Sequence, residues 1–252
     1  MLSDVKGILF DIGGVLYVGE KAVEGAVDAV AKLKRRYPVR FLTNTTRSCP
    51  ETILQKLRDF GFDVTHDELF TALSAAHAYV DARGGSVLPL LTDEAARCFD
   101  DLRGDRPDFV VAGDAHTNFD YAHLNAAFRT LKNGARLIAA AKNRYFQDDD
   151  GMLSMDAGGF VAALEYAAET QAILIGKPSA TFFHLAVASM GLQAYEVLMV
   201  GDDIESDIQG AQNAGLKAAL VKTGKFNPED LRRDIRPDII VEDVASLPPL
   251  LA

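Results

Sequence analysis

Ile8-Leu9-Phe10-Asp11-Ile12-Gly13-Gly14-Val15-Leu16 decides how the rest of the chain is read. Its first three residues are a short apolar run that reads as a buried strand, and Asp11 follows at the carboxyl end. Gly13 and Gly14 let the backbone turn sharply and bring its amides near an anion. Far downstream, Val197-Leu198-Met199-Val200 repeats the arrangement and ends in Gly201-Asp202-Asp203, with Asp207 one helical turn on. Parallel α/β sheets bind ligands outside the carboxyl ends of their strands, so two such strands side by side bring Asp11 and Asp202 together. Carboxylates gathered this way repel unless a cation lies between them, and hard oxygen donors suit Mg²⁺.

Outward from these two stretches, strand and helix patterns alternate almost throughout, which implies right-handed βαβ units and parallel sheets. The predicted class is α/β: a Rossmann-like, doubly wound parallel-sheet core with an inserted α/β cap domain. The acidic signatures lie at opposite ends of the chain, so residues 1–76 and 177–252 are assigned to the core and 77–176 to the cap. Residues 69–82 and 93–102 each read as one helix, and Pro178 fits the first position of a helix over 179–190. Asp148-Asp149-Asp150-Gly151 lacks the spacing of a calcium loop and reads as a solvated turn.

Composition narrows the function classes. The 252 residues are 48% apolar, enough for a full core, and no apolar run approaches the ~20 residues that cross a bilayer. The first residues carry no signal-peptide pattern, and a cytoplasmic location is expected. The net charge is −10 with a pI near 5.0, and no basic stripe appears, so neither nucleic acid nor membrane is a predicted partner. Cys49 and Cys98 have no metal-ligand spacing; a single bridge is one alternative, and free thiols of a reducing compartment are the expectation.

Four positions can do chemistry. Asp11 is a candidate nucleophile, since a carboxylate can attack phosphorus and split one hard step into two. Thr43 closes the strand Val39-Arg40-Phe41-Leu42, and its hydroxyl and the next backbone amides can hold phosphate oxygens. Lys177, in Gly176-Lys177-Pro178, follows the apolar Ile173-Leu174-Ile175 and can neutralise phosphate and nucleophile together. Of Asp202, Asp203 and Asp207, one carboxylate can bind a metal while the others orient waters or Lys177. Singly, each has an ordinary reading as a loop cap, a helix entry or a surface lysine.

Together, and in this order, Asp11, Thr43, Lys177 and Gly201-Asp202-Asp203-x-x-x-Asp207 resemble the haloacid dehalogenase superfamily of aspartyl-phosphate phosphatases. The insertion between Thr43 and Lys177 is similar to the large α/β cap of the NagD type, and the resemblance spans nearly the whole chain. It implies a Mg²⁺-dependent phosphatase of small phosphorylated molecules. Asp11 would be nucleophile and metal ligand, the Gly13 carbonyl and Asp202 further ligands, and Thr43, Asn44, Thr45 and Lys177, with Gly13, the phosphoryl-binding set. Asp203 and Asp207 would support them, Asp207 within the catalytic group. The same cap type implies a homodimer through the cap.

The chain departs from the family pattern at Gly13, where most phosphatases of the superfamily carry an Asp as general acid and base. Losing a positioned acid typically costs about 10²–10⁴-fold, least for leaving groups that need no proton. Acyl phosphates, phosphoramidates, aryl phosphates and pyrophosphate are then favoured over alkyl esters. The competing readings are a hydrolase of C–halogen or C–P bonds on the same fold, and a catalytically weak binding protein.

Overall fold

A computed structural model describes residues 2–147 and 152–251; the turn read at Asp148–Gly151 lies outside the described residues. In chain order the strands are β1 (Gly7–Asp11), β2 (Tyr17–Val18), β3 (Lys21–Ala22), β4 (Val39–Thr43), β5 (Leu69–Thr71), β6 (Val87–Leu90), β7 (Phe109–Ala112), β8 (Arg136–Ala139), β9 (Tyr145–Gln147), β10 (Leu153–Met155), β11 (Ile173–Leu174), β12 (Val197–Gly201), β13 (Lys217–Val221) and β14 (Ile239–Val241). The α-helices are α1 (Ala26–Lys34), α2 (Pro50–Asp59), α3 (Ala72–Asp81), α4 (Asp93–Ala96), α5 (Tyr121–Lys132), α6 (Ala157–Ala168), α7 (Ala180–Ala188) and α8 (Gly210–Asn213). No helix among the described residues is long and apolar enough to cross a membrane.

The chain divides into two compact units. The first comprises Met1–Thr43, Leu54–Phe70 and Lys177–Ala252, and the second Asn44–Ile53 and Thr71–Gly176.

The first unit is built on a sheet of order β14-β13-β12-β1-β4-β5. Strands β1 and β12 are buried along their whole length, which explains their unbroken apolar sequence. They run parallel, with Phe10 opposite Val200, while β1 pairs with β4 on its other side, Asp11 opposite Leu42. Strand order proceeds outward in one direction from β1 through β4 and in the other from β12 through β13. The reversal between β1 and β12 therefore places Asp11 beside the residues that follow Gly201.

The second unit carries a parallel sheet of order β11-β8-β7-β6. One apolar layer joins it to α3 through Ala72, Leu73, Ala76 and Val80. The other joins it to α5 and α6 through Ala127, Leu131, Val161 and Leu164. Helices on both faces of a parallel sheet are what the alternating pattern demands.

Several local expectations need correction. Residues 69–82 are not one helix: Thr71 is extended (φ −107°, ψ 151°), and its hydroxyl accepts the Ser74 N–H, so the helix begins only at Ala72. Because α3 is continuous and packs with the second unit, the division falls at Thr71 and not at His77, and Asn44–Ile53 joins that unit as well. The helix over 93–102 is broken at Phe99 (φ −122°, ψ 15°), and its second half is 3₁₀. Pro178 does not open α7; Ser179 holds the N-cap position without a side-chain cap hydrogen bond, and Pro178 precedes it after a cis peptide bond. Cys49 and Cys98 are not free thiols. The fold brings their Cα atoms to 6.2 Å across 49 residues of sequence, and their sulfurs are bridged.

Candidate active site

The site is built at the carboxyl ends of the central strands of the first unit. Asp11 closes β1, Asp202 and Asp203 follow β12, and Thr43 closes β4 in a buried position. Asp11, Asp202 and Asp207 are buried, and each offers a carboxylate oxygen, the three atoms lying within 4.8 Å of one another.

Lys177 sits among them. Its side chain is 3% exposed, and Nζ donates to Asp11 Oδ1 at 2.5 Å and to Asp207 Oδ1 at 2.6 Å. Burial opposes the ammonium, but the charges of Asp11 and Asp207 outweigh it and hold the lysine pKa above its ordinary value. Asp207 is fully engaged: Oδ1 takes Lys177, and Oδ2 accepts the backbone N–H groups of Asp202 and Asp203 at 3.2 and 3.1 Å. Burial pushes its carboxyl up to about 7 against the pull of Lys177. Asp203 caps the helical turn that begins at Ile204, Oδ1 accepting from Glu205 and Ser206. Burial raises Asp203, yet the Lys225 charge and those two N–H donors prevail and lower it.

Asp202 shows what the cluster lacks. Burial, and then the charges of Asp11 and Asp207, drive its pKa well above the usual carboxylate range. Among the described residues, the carboxylates of Asp11, Asp203 and Asp207 are ion-paired to two ammonium groups, those of Lys177 and Lys225, and Asp202 adds a fourth carboxylate. A buried excess of negative charge in an all-oxygen donor set fits a hard divalent cation. Asp11, Asp202 and the peptide carbonyls of the Asp11 loop are the groups that would hold it.

The loop after β1 is shaped by one glycine. Gly14 has φ 84°, and a Cβ there would collide with the Asp202 carboxylate, so Gly is required. Gly13 is different: it is exposed, its φ lies outside the left-handed region, and a Cβ would meet nothing within 4 Å. Steric fit does not exclude a side chain at position 13. Nearby, burial pushes the Tyr17 phenol up to about 12, with the Asp11 charge adding to it, so Tyr17 keeps its proton at neutral pH.

Among the residues selected from sequence, Asp11, Gly13, Thr43, Lys177, Asp202, Asp203 and Asp207 all belong to the first unit. Asn44 and Thr45 pack with the second, where the Asn44 amide donates to Asn143 Oδ1 at 3.1 Å. Lys225 escaped the sequence reading. Its backbone N–H donates to Asp202 Oδ2 at 2.7 Å, and Nζ lies 3.4 Å from Asp203 Oδ2. The signal was a glycine-lysine pair just past an apolar strand, Gly224-Lys225 after Ala218–Val221.

Comparison with known proteins agrees with this geometry. Residues 8–103 match the family described as haloacid dehalogenase-like hydrolase, and residues 174–247 the HAD-hydrolase-like family. The chain is 42% identical over 227 residues to haloacid dehalogenase-like hydrolase domain-containing protein 2 of Bos taurus, covering 90% of this chain and 87% of that protein. It is 39% identical over 259 residues to phospholysine phosphohistidine inorganic pyrophosphate phosphatase of Rattus norvegicus, covering 99% and 95%. Among solved structures, the 4-nitrophenylphosphatase of Thermotoga maritima superposes with a TM-score of 0.92 at 26% identity, covering 100% of this chain and 99% of that one. A putative NagD protein superposes with a TM-score of 0.89 at 25% identity, covering 99% of each. With this identity sustained along nine-tenths of its length, the chain belongs to the haloacid dehalogenase-like hydrolases, in their NagD-type branch.

Proposed function

We propose that the chain is a Mg²⁺-dependent phosphatase that works through an aspartyl-phosphate on Asp11 and prefers substrates with good leaving groups. The observation that carries this reading is the buried Lys177 ammonium, held at 2.5 Å from Asp11 and 2.6 Å from Asp207 beside the Asp202 carboxylate. A lysine so placed aims the nucleophile and presents positive charge to incoming phosphoryl oxygens. Asp207, fixed by two backbone N–H groups, keeps the lysine in place. The Thr43 hydroxyl supplies a further phosphoryl contact. Mg²⁺, held by Asp11, the Gly13 carbonyl and Asp202, neutralises phosphate charge that these carboxylates would repel.

Asp11 attacks phosphorus, the bond to the leaving group breaks, and the leaving group departs with the electron pair. Water then attacks the same phosphorus and gives a proton up to solvent or to the phosphate formed, the acyl phosphate P–O bond breaks, and phosphate and the free carboxylate are released. Gly13 has no side chain to give a proton in the first half or to take one from water in the second. The substrates favoured are therefore aryl and acyl phosphates, P–N compounds and pyrophosphate. The names of two relatives, a phospholysine, phosphohistidine and pyrophosphate phosphatase and a 4-nitrophenylphosphatase, support that list.

The test is turnover of 4-nitrophenyl phosphate with Mg²⁺, after chelation, and in Asp11→Asn. Activity is expected with Mg²⁺ alone, and Asp11→Asn should lose about 10³-fold or more while melting near wild type. Full turnover in excess chelator, or an active Asp11→Asn, contradicts the proposal.

A further inference from the structure

The turn Thr223-Gly224-Lys225, which follows β13, touches both acidic loops of the first unit. Thr223 Oγ1 donates to the Gly14 carbonyl at 2.5 Å, which ties down the loop after β1. The Lys225 N–H donates to Asp202 Oδ2 at 2.7 Å. Gly224 has φ 62°, and its backbone lies so close that a Cβ would collide with the Asp202 carboxylate and the Gly14 backbone. Only glycine permits that approach. The register explains the placement: Leu220 of β13 lies opposite Gly201 of β12, so the turn leaves the sheet beside Asp202.

We infer that this turn is a positioning element for the cation site. Thr223 fixes the loop that carries the Gly13 carbonyl, and the Lys225 N–H fixes the Asp202 carboxylate that would help to hold the cation. The inference rests on the reading of this cluster as the Mg²⁺ site of a phosphatase. Groups that hold a ligand in place set metal affinity, whereas a turn that only closes the sheet sets stability.

The experiment is calorimetric titration of Mg²⁺ into the whole chain, as wild type, Gly224→Ala, Thr223→Val and Thr223→Ser, with melting followed in parallel without metal. Gly224→Ala and Thr223→Val should bind Mg²⁺ about tenfold or more weakly, the usual cost of removing a group that orients a ligand. Thr223→Ser keeps the hydroxyl and should restore wild-type affinity. At saturating Mg²⁺, the kcat of Thr223→Val on 4-nitrophenyl phosphate should return towards that of the wild type. If Gly224→Ala does not fold, the Thr223 pair decides. Thr223→Val binding Mg²⁺ as tightly as wild type would overturn the inference, whatever its melting temperature, as would Thr223→Ser failing to rescue. A wild type that binds Mg²⁺ without turnover would sink the phosphatase reading and leave the calorimetric comparison to decide the turn. A wild type that binds no Mg²⁺ would sink both.

Discussion

The sheets of the two units share parallel strands, yet they differ in the order of those strands. In the second unit β6, β7, β8 and β11 succeed one another in a single direction. In the first, the order reverses between β1 and β12, the place in an open α/β sheet where ligands bind. The polar groups follow this difference. Among the described residues, the cluster of carboxylates able to hold a metal lies at the reversal, and its members are buried. At the carboxyl edge of the second sheet, Asp114 pairs with Arg47 at 2.6 Å, and Asn118 is bonded to Leu91 and Asp93. The Arg47 side chain there is 36% exposed, against 3% for Lys177. A parallel sheet alone does not gather buried charge; a change of direction in its strand order does.

The largest effect that tests this contrast is on stability. Lys177→Met leaves Asp11 and Asp207 buried without their cation and should cost about 3–5 kcal/mol in metal-free urea unfolding. Arg47→Met removes a half-exposed partner in the second unit and should cost at most about 1 kcal/mol. Equal losses from the two substitutions would mean that the site at the reversal is no more sensitive to its charges than the other sheet edge.

Gly13 sharpens the comparison next. Without an acid at that position, log kcat/KM should fall steeply from aryl to alkyl phosphates as the leaving-group pKa rises. Gly13→Asp should flatten the slope, raising alkyl phosphate turnover by about 10²-fold, the low end of what a positioned acid contributes. A Cβ at this position meets nothing within 4 Å, so the first atom of the new side chain is accommodated. A shallow slope in the wild type would assign the proton to another residue.

The smallest effect belongs to the second unit. Glu165 on α6 accepts from Lys142 at 2.7 Å and from the Ala172 N–H at 2.9 Å. Burial raises its pKa, but these donors prevail and hold it below the ordinary value of 4.5. A depressed carboxylate pKa contributes stability that is complete above 4.5 and is lost as pH falls through the lowered value. Screening at this partly exposed site limits the loss to about 1 kcal/mol or less. Glu165→Gln should remove that part of the acid limb in melts at falling pH; an unchanged limb would assign it elsewhere.

Much of the site was legible because each part is local. Strands β1 and β12 are apolar runs that stop at Asp11 and Gly201-Asp202, and burial along their whole length leaves no alternation to confuse the period, while β4 stops at Thr43 and is broken only by Arg40. Lys225 was only weakly legible, as Gly224-Lys225 past an apolar strand, since its partners Asp202 and Asp203 are brought to it by the pairing of β12 with β13. The same holds for the bridge between Cys49 and Cys98, which no spacing announces. The start of α3 was misplaced because Leu69-Phe70-Thr71 carries the apolar content of a helix turn while Thr71 acts as its cap.

Gly13 also bears on the second half of the proposed cycle, because no side chain there activates the water that releases phosphate from Asp11. With 4-nitrophenyl phosphate, whose departure needs no acid, breakdown of the aspartyl-phosphate should be the slow step. Stopped-flow mixing with Mg²⁺ should then give a burst of about one nitrophenolate per active site before a slower steady state. Acid-quenched protein should carry the phosphoryl group on Asp11, and Gly13→Asp should abolish the burst by speeding the second step. A linear trace with no phosphoryl group on Asp11 would contradict covalent catalysis at the reversal between β1 and β12.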